Sequence, residues 1–308
     1  MYKKMLVPLD GSELAEAVLP HAKELAGRLD LDVVFLHVCS SQEHTLAAMH
    51  RVYVEHMAET IEHQVREVQQ RTDIQAKDKG VKVRGELAAG YPAEEILRYA
   101  DKNAIDLILM ATHGYSGITR WTIGSVADKV LRAAKIPVWL VRVGVAGETA
   151  YDKWPRRTIL VPLDGSKLAE VVLPHVEALA KQRSPEPLDI VLLRVCPPPM
   201  VIPSERSPSI HLSWEKYVEQ EITRCRQESE EYLAGIKERL KNINIKVRTE
   251  VLVGKPADEI IDYAHKNPFT VIVMATHGYA GLSRWAYGSV ADKILHGASR
   301  PIFLVRPH

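Results

Sequence analysis

The sequence predicts an α/β protein built as two tandem domains, each an open parallel sheet with helices on both faces. Two observations carry this expectation. Short apolar runs alternate with amphipathic stretches along the chain, the pattern of strands joined by helical crossovers. That pattern also occurs twice. Lys3 to Ala26 matches Arg157 to Ala180 at 16 of 24 positions, and Met110 to Arg142 matches Met274 to Arg306 at 21 of 33. The offset grows from 154 to 164, so the second copy carries ten extra residues in between. A period this long means whole domains, not the roughly 20–45-residue units of a solenoid. Residues 1–143 and 156–308 are the expected domains, and 144–155 (GVAGETAYDKWP) is a polar, glycine-containing linker.

In the first copy, Met5 to Leu9 is a short apolar strand that runs into Asp10-Gly11-Ser12, a turn and helix N-cap signal. Leu14, Ala15, Val18, Leu19, Ala22, Leu25 and Ala26 follow helical spacing. Pro20 lies inside that pattern, as Pro174 does in the second copy, so the helix is kinked there or follows an early break. Leu31 to Val38 is a second buried strand. His44 to Lys79 reads as a long charged helix with a frayed end. Its histidines, His44, His50, His56 and His63, are six and seven apart, so they do not converge along the helix as metal ligands and are expected on a solvated face.

Val81 to Leu87 is a third strand. Gly90-Tyr91-Pro92 then turns into a helix with proline near its first turn. Ile105 to Met110 and Pro137 to Val141 complete the copy. The second copy repeats the plan with strands near Thr158–Leu163, Asp189–Val195, Lys246–Val251, Thr270–Met274 and Ile302–Val305. Its proline-rich insert, Pro197 to Pro208, reads as an irregular loop.

Composition limits the function classes. Lys and Arg number 40 against 39 Asp and Glu, a net charge of +1 that gives no reason to expect nucleic acid or an anionic membrane as partner. No apolar run reaches the ~18 residues of a membrane span. Met1-Tyr2-Lys3-Lys4 leads straight into a strand, so no secretory signal is expected. Cys39, Cys196 and Cys225 form no CxxC pair and are expected as reduced thiols in a cytoplasmic protein.

Ligands of open parallel sheets bind beyond the carboxyl ends of the strands. Those ends carry Asp10, Val38 and Ala111 to Gly114. The loop after the fourth strand holds Gly114, Gly117, Arg120 and then Gly124-Ser125, where a helix should start. Glycines, backbone amides and a helix N-terminus attract anions, and Arg120 adds charge. The second copy supplies Gly278, Gly281, Arg284, Gly288 and Ser289. His113 and His277 lie beside the loop, where a histidine orders the turn, meets a phosphate or acts as a base. Trp121 and Trp285 read as core or interface anchors, and Asp128 with Lys129 as a surface pair. The chain has no GxxxxGK[ST], so it is not a P-loop protein, and no GxGxxG follows the first strand, which disfavours a dinucleotide fold of the usual kind.

The ILVPLDGS-type opening and the MATHG-x9-GSVADK unit resemble the universal stress protein family, over nearly the whole chain as a tandem pair. The pattern G-x2-G-x9-G-[ST] of its nucleotide-binding members fits Ala111-x2-Gly114-x9-Gly124-Ser125 and Ala275-x2-Gly278-x9-Gly288-Ser289, with alanine at the first glycine both times. Alanine there costs about 1 kcal/mol if the backbone needs a positive φ, and only crowding if it needs close approach. The resemblance implies a Rossmann-like sheet of order 3-2-1-4-5 in each domain, with ATP in the crevice and a divalent cation such as Mg2+ on its phosphates. By motif position, Pro8, Asp10, Val38 and Met110 meet the adenine end. Ala111 lies near the ribose, and Gly114, Gly124, Ser125 and Val126 hold the phosphates. The second set is Pro162, Asp164, Val195, Met274, Ala275, Gly278, Gly288, Ser289 and Val290.

The implied function is a nucleotide-dependent regulator in stress response. The alternatives are a slow Mg-dependent ATPase or phosphotransferase, and an interaction module that binds no nucleotide. The fifth strands, Val138 to Val141 and Ile302 to Val305, are expected to pair within the chain, between chains in a homo-oligomer, or both.

Overall fold

The computed structural model describes residues 2–39, 46–72, 80–113, 123–143, 157–181, 188–199, 211–241, 245–267, 271–277 and 287–307. The expected linker lies outside them. The first copy runs β1 (Lys4–Pro8), α1 (Glu13–Glu16), α2 (Leu19–Leu29), β2 (Asp32–Cys39), α3 (Ala47–Arg71), β3 (Val83–Ala89), α4 (Pro92–Lys102), β4 (Leu107–Ala111), α5 (Ser125–Ala133) and β5 (Val138–Val141). The second follows with β6 (Arg157–Pro162), α6 (Lys167–Glu170), α7 (Leu173–Lys181), β7 (Leu188–Cys196), α8 (His211–Arg239), β8 (Lys246–Val253), α9 (Pro256–Lys266), β9 (Val271–Ala275), α10 (Ser289–Gly297) and β10 (Ile302–Val305).

The strands form one ten-stranded sheet of order β3-β2-β1-β4-β5-β10-β9-β6-β7-β8. Each half is a parallel 3-2-1-4-5 sheet. The expected two sheets are therefore continuous, because β5 pairs with β10 within the chain. That one pairing is antiparallel. The sheet is apolar on both faces, which is why its central strands read as unbroken Val/Ile/Leu runs. Within β4, Leu107, Leu109 and Ala111 enter the core layer under α2 and α3, and Ile108 and Met110 enter the layer under α4 and α5.

Phe303 lies opposite Trp139 in the β5–β10 register, and these are equivalent positions of the two copies. Their rings meet edge to face at 5.8 Å, both buried. Around this point the halves exchange matching contacts. Arg142 donates to Leu295 O at 2.8 Å, and Arg306 donates to Arg132 O at 2.7 Å. Each arginine thus serves carbonyls in the last turn of the other copy's helix, where intrahelical partners run out.

Three local expectations are refined. Pro20 follows a break: α1 ends at Glu16 and Pro20 sits in the first turn of α2, where its missing N–H costs nothing. Pro174 does the same in α7. Asp128 pairs with Arg132 at 2.8 Å, one helical turn on, instead of with Lys129. The expectation of reduced thiols is corrected for two cysteines. Cys196 at the end of β7 is disulfide-bonded to Cys225 on α8, a contact between distant elements that sequence spacing does not reveal.

Candidate functional site

The first wall of the site is the turn after β1. Gly11 adopts φ +82°, which glycine enters without strain. Asp10 Oδ1 accepts from Ser12 N at 3.0 Å and from Ser12 Oγ at 2.6 Å. Ser12 Oγ in turn accepts from Ala15 N at 3.2 Å and caps α1. The second copy repeats the turn: Asp164 Oδ1 accepts from Ser166 N at 2.9 Å and Ser166 Oγ accepts from Ala169 N at 3.1 Å.

The opposite wall is the end of β4 and the start of α5. Thr112 N donates to Val141 O at 2.9 Å, and Gly124 N donates to Thr112 O at 2.8 Å. The two ends of the intervening loop are thereby pinned together. Gly124 has an extended backbone (φ −59°, ψ 149°), so its requirement is space: a Cβ there would meet Thr112 O at 3.0 Å. The N-terminal amides of α5 begin at Ser125, on the same rim. In the second copy Gly288 N donates to Thr276 O at 3.0 Å and α10 begins at Ser289.

Between these walls lies a solvent-open crevice with a cavity volume of about 180 Å³. It brings together Pro8, Asp10, Val38, Met110, Ala111, His113, Gly124, Ser125 and Val126. Its counterpart, of about 220 Å³, brings together Pro162, Asp164, Val195, Met274, Ala275, His277, Gly288, Ser289 and Val290. Gly114, Arg120, Gly278 and Arg284, like Trp121 and Trp285, lie outside the described residues.

The alanines at the first motif position sit in β4 and β9 and have no positive φ. Alanine is therefore unstrained there, and both alanines line their crevices.

Both histidines touch the preceding threonine. His113 Nδ1 lies 3.1 Å from Thr112 Oγ1, and His277 Nδ1 lies 2.9 Å from Thr276 Oγ1. Burial, with the charge of Arg142 adding to it, pushes the His113 pKa below the ordinary histidine value, so its imidazole is neutral at pH 7. His277 Nε2 is buried with no hydrogen-bond partner among the described residues. A buried nitrogen left this way is costly, and a polar ligand in the adjoining crevice would relieve it.

Some lining residues escaped the sequence reading. Pro92 and Ile96 of α4, with Pro256 and Ile260 of α9, close the apolar side. The signal was available: the Gly-Tyr-Pro turn follows β3 at the same sheet edge as the other loops.

The sequence matches the Universal stress protein family model twice, over residues 1–142 and 155–306. The chain belongs to the universal stress protein family. A full-length relative, a universal stress protein of Mycolicibacterium smegmatis, is 26% identical and covers 98% of this chain and 97% of its own. The universal stress protein MJ0531 of Methanocaldococcus jannaschii is 32% identical over 46% of this chain and 83% of its own. Among solved structures, a universal stress protein from Archaeoglobus fulgidus superposes with a TM-score of 0.58, covering 98% of each chain at 20% identity, which supports the fold.

Proposed function

We propose that this tandem universal stress protein binds ATP in both crevices and acts as a nucleotide-dependent regulator. The observation that carries the reading is the convergence, in each copy, of an apolar slot with a helix N-terminus. The slot between Val38, Met110 and Ile96 suits a planar base. The amides at Ser125 and the glycine-spaced rim suit phosphates. His277 Nε2, buried without a hydrogen-bond partner among the described residues, adds a polar atom beside the second crevice. Asp10 and Asp164 are the only carboxylates among the described lining residues. Each already serves its own turn, so a divalent cation would be held chiefly by the phosphates.

The test is calorimetric titration of the full chain with ATP and magnesium. Gly124 is a poor probe, since any side chain there strikes Thr112 O whether or not nucleotide binds. Ser125→Asp and Ser289→Asp are better. Aspartate in the first turn favours the helix, worth about 0.3–1 kcal/mol, yet repels a phosphate. The expected result is two sites in the wild type, each weakened at least tenfold by its own substitution with no loss of thermal stability. Absence of saturable binding at millimolar ATP would refute the reading.

A further inference from the structure

The last residues of β2 alternate in direction. Val38 faces the crevice side of the sheet, whereas His37 and Cys39 turn to the side covered by α3. There they meet His50, in the first turn of α3. One donor atom from each of the three lies within 4.8 Å of the others. Cys39 Sγ is 3.3 Å from His50 Nδ1, and the rings of His37 and His50 are 4.1 Å apart. His37 and Cys39 are 5% and 4% exposed. The helix spacing that argued against a metal site considered only histidines on one helix. His56 and His63 are indeed exposed, but His50 converges with a strand instead.

The second copy treats the same place differently. Tyr53 donates to Glu16 at 2.8 Å, and Tyr232 contacts the equivalent Glu170 at 3.4 Å. This register equates His50 with Ser229. Ser229 Oγ lies 3.4 Å from Cys196 Sγ, and Cys196 is bonded to Cys225. There a covalent bond ties the strand end to the long helix. In the first copy the matching strand end presents a thiol and two imidazoles.

We propose that His37, Cys39 and His50 bind a divalent cation of the zinc class. The set is one sulfur and two nitrogens, which suits a borderline-soft tetrahedral ion. Bonds of about 2.3 Å to sulfur and about 2.0 Å to nitrogen hold ligand atoms about 3.5 Å apart, close to the observed Cys39–His50 separation. Binding releases the Cys39 thiol proton to solvent and uses neutral imidazoles, so affinity rises with pH. A tetrahedral ion would need one ligand beyond these three. The ion would cross-link β2 to α3, as the disulfide links β7 to α8.

Cobalt titration of the metal-stripped full chain tests this. One equivalent of Co2+ should produce a thiolate-to-metal charge-transfer band, and added Zn2+ should bleach it. Cys39→Ser should abolish the band, and His37→Gln and His50→Gln should each weaken binding at least tenfold. A Cys196→Ser/Cys225→Ser variant should retain the band. Circular dichroism checks each fold. If Cys39→Ser does not fold, His50→Gln decides, because His50 is only partly buried at a helix start. No band in the wild type, a band surviving Cys39→Ser, or undiminished affinity in His50→Gln would overturn the proposal.

Discussion

The residue scale is dominated by charges that the core has taken in. Glu24 is 1% exposed and Arg28 is 4% exposed, joined at 2.6 Å, and Arg71 reaches the other oxygen of Glu24. Burial alone would raise the Glu24 pKa, but hydrogen bonds and charge from Arg28 and Arg71 hold it below the ordinary value. Truncating Arg28 to Ala strands a buried carboxylate with one half-exposed partner. The expected loss is about 3 kcal/mol, read from urea unfolding, whereas an Arg28→Met/Glu24→Leu pair should recover most of it. His21, next to Glu24 on the same helix, behaves oppositely. Burial lowers its pKa from 6.5 to about 4, with Glu24 opposing. The unfolded chain takes up this proton below about pH 6.5, so stability is complete above that pH. It declines as the pH falls toward 4, by on the order of 3 kcal/mol at most. A urea midpoint series on His21→Gln should show a flatter profile between pH 6.5 and 4 than the wild type. Loss from Glu24 belongs below its ordinary 4.5, so the two windows can be told apart. An unchanged profile in His21→Gln would remove histidine from the account.

At the scale of elements, the site's construction predicts which substitutions disturb folding before they disturb any ligand. Gly124→Ala forces a methyl against Thr112 O, which belongs to a loop end pinned to Val141. A destabilisation of about 1–2 kcal/mol is expected even without nucleotide, by thermal unfolding, and a neutral result would mean the pinned loop yields. Ser12→Ala should cost about 1 kcal/mol through the lost α1 cap. These elements also show what could be read in advance. The strands were legible because a parallel sheet buried on both faces demands unbroken apolar runs, as in Leu107–Ala111. The turn Asp10-Gly11-Ser12 was legible because its chemistry is local. The break before Pro20 was left open between a kink and a restart, since proline permits either. Side-chain contacts between strand ends and the long helices were not legible. Cys196 meets Cys225 and His50 meets Cys39 only because long helices lie across strand ends, and spacing along one element is silent about that. Pro92 and Ile96 were missed for a similar reason: α4 reaches the crevice from a neighbouring loop.

For the whole molecule, the question is which sheet edges remain. The fifth strands, expected to pair within or between chains, are consumed by each other at Trp139 and Phe303. The outer edges are β3 and β8, which carry Arg84 and Glu86, and Lys246, Arg248 and Glu250. Charged side chains on an edge strand discourage further pairing. The full chain should therefore gain no oligomer through its sheet. Residues 1–143 alone would be different. They would expose β5, whose Val138, Trp139, Leu140 and Val141 are all buried in the tandem chain. Because Trp139 faces its own repeat equivalent, a second copy of the same segment can substitute for the missing half, Trp139 against Trp139. Light scattering should find residues 1–143 as a dimer, and Trp139→Arg should return it to monomer. The same substitution in the full chain should lower stability by about 3–5 kcal/mol, as expected when a large buried aromatic is lost, without changing its mass. A monomeric 1–143 segment that is folded and stable would show that β5 tolerates solvent. The continuous ten-stranded sheet would then depend on tethering rather than on the complementarity of its two central strands.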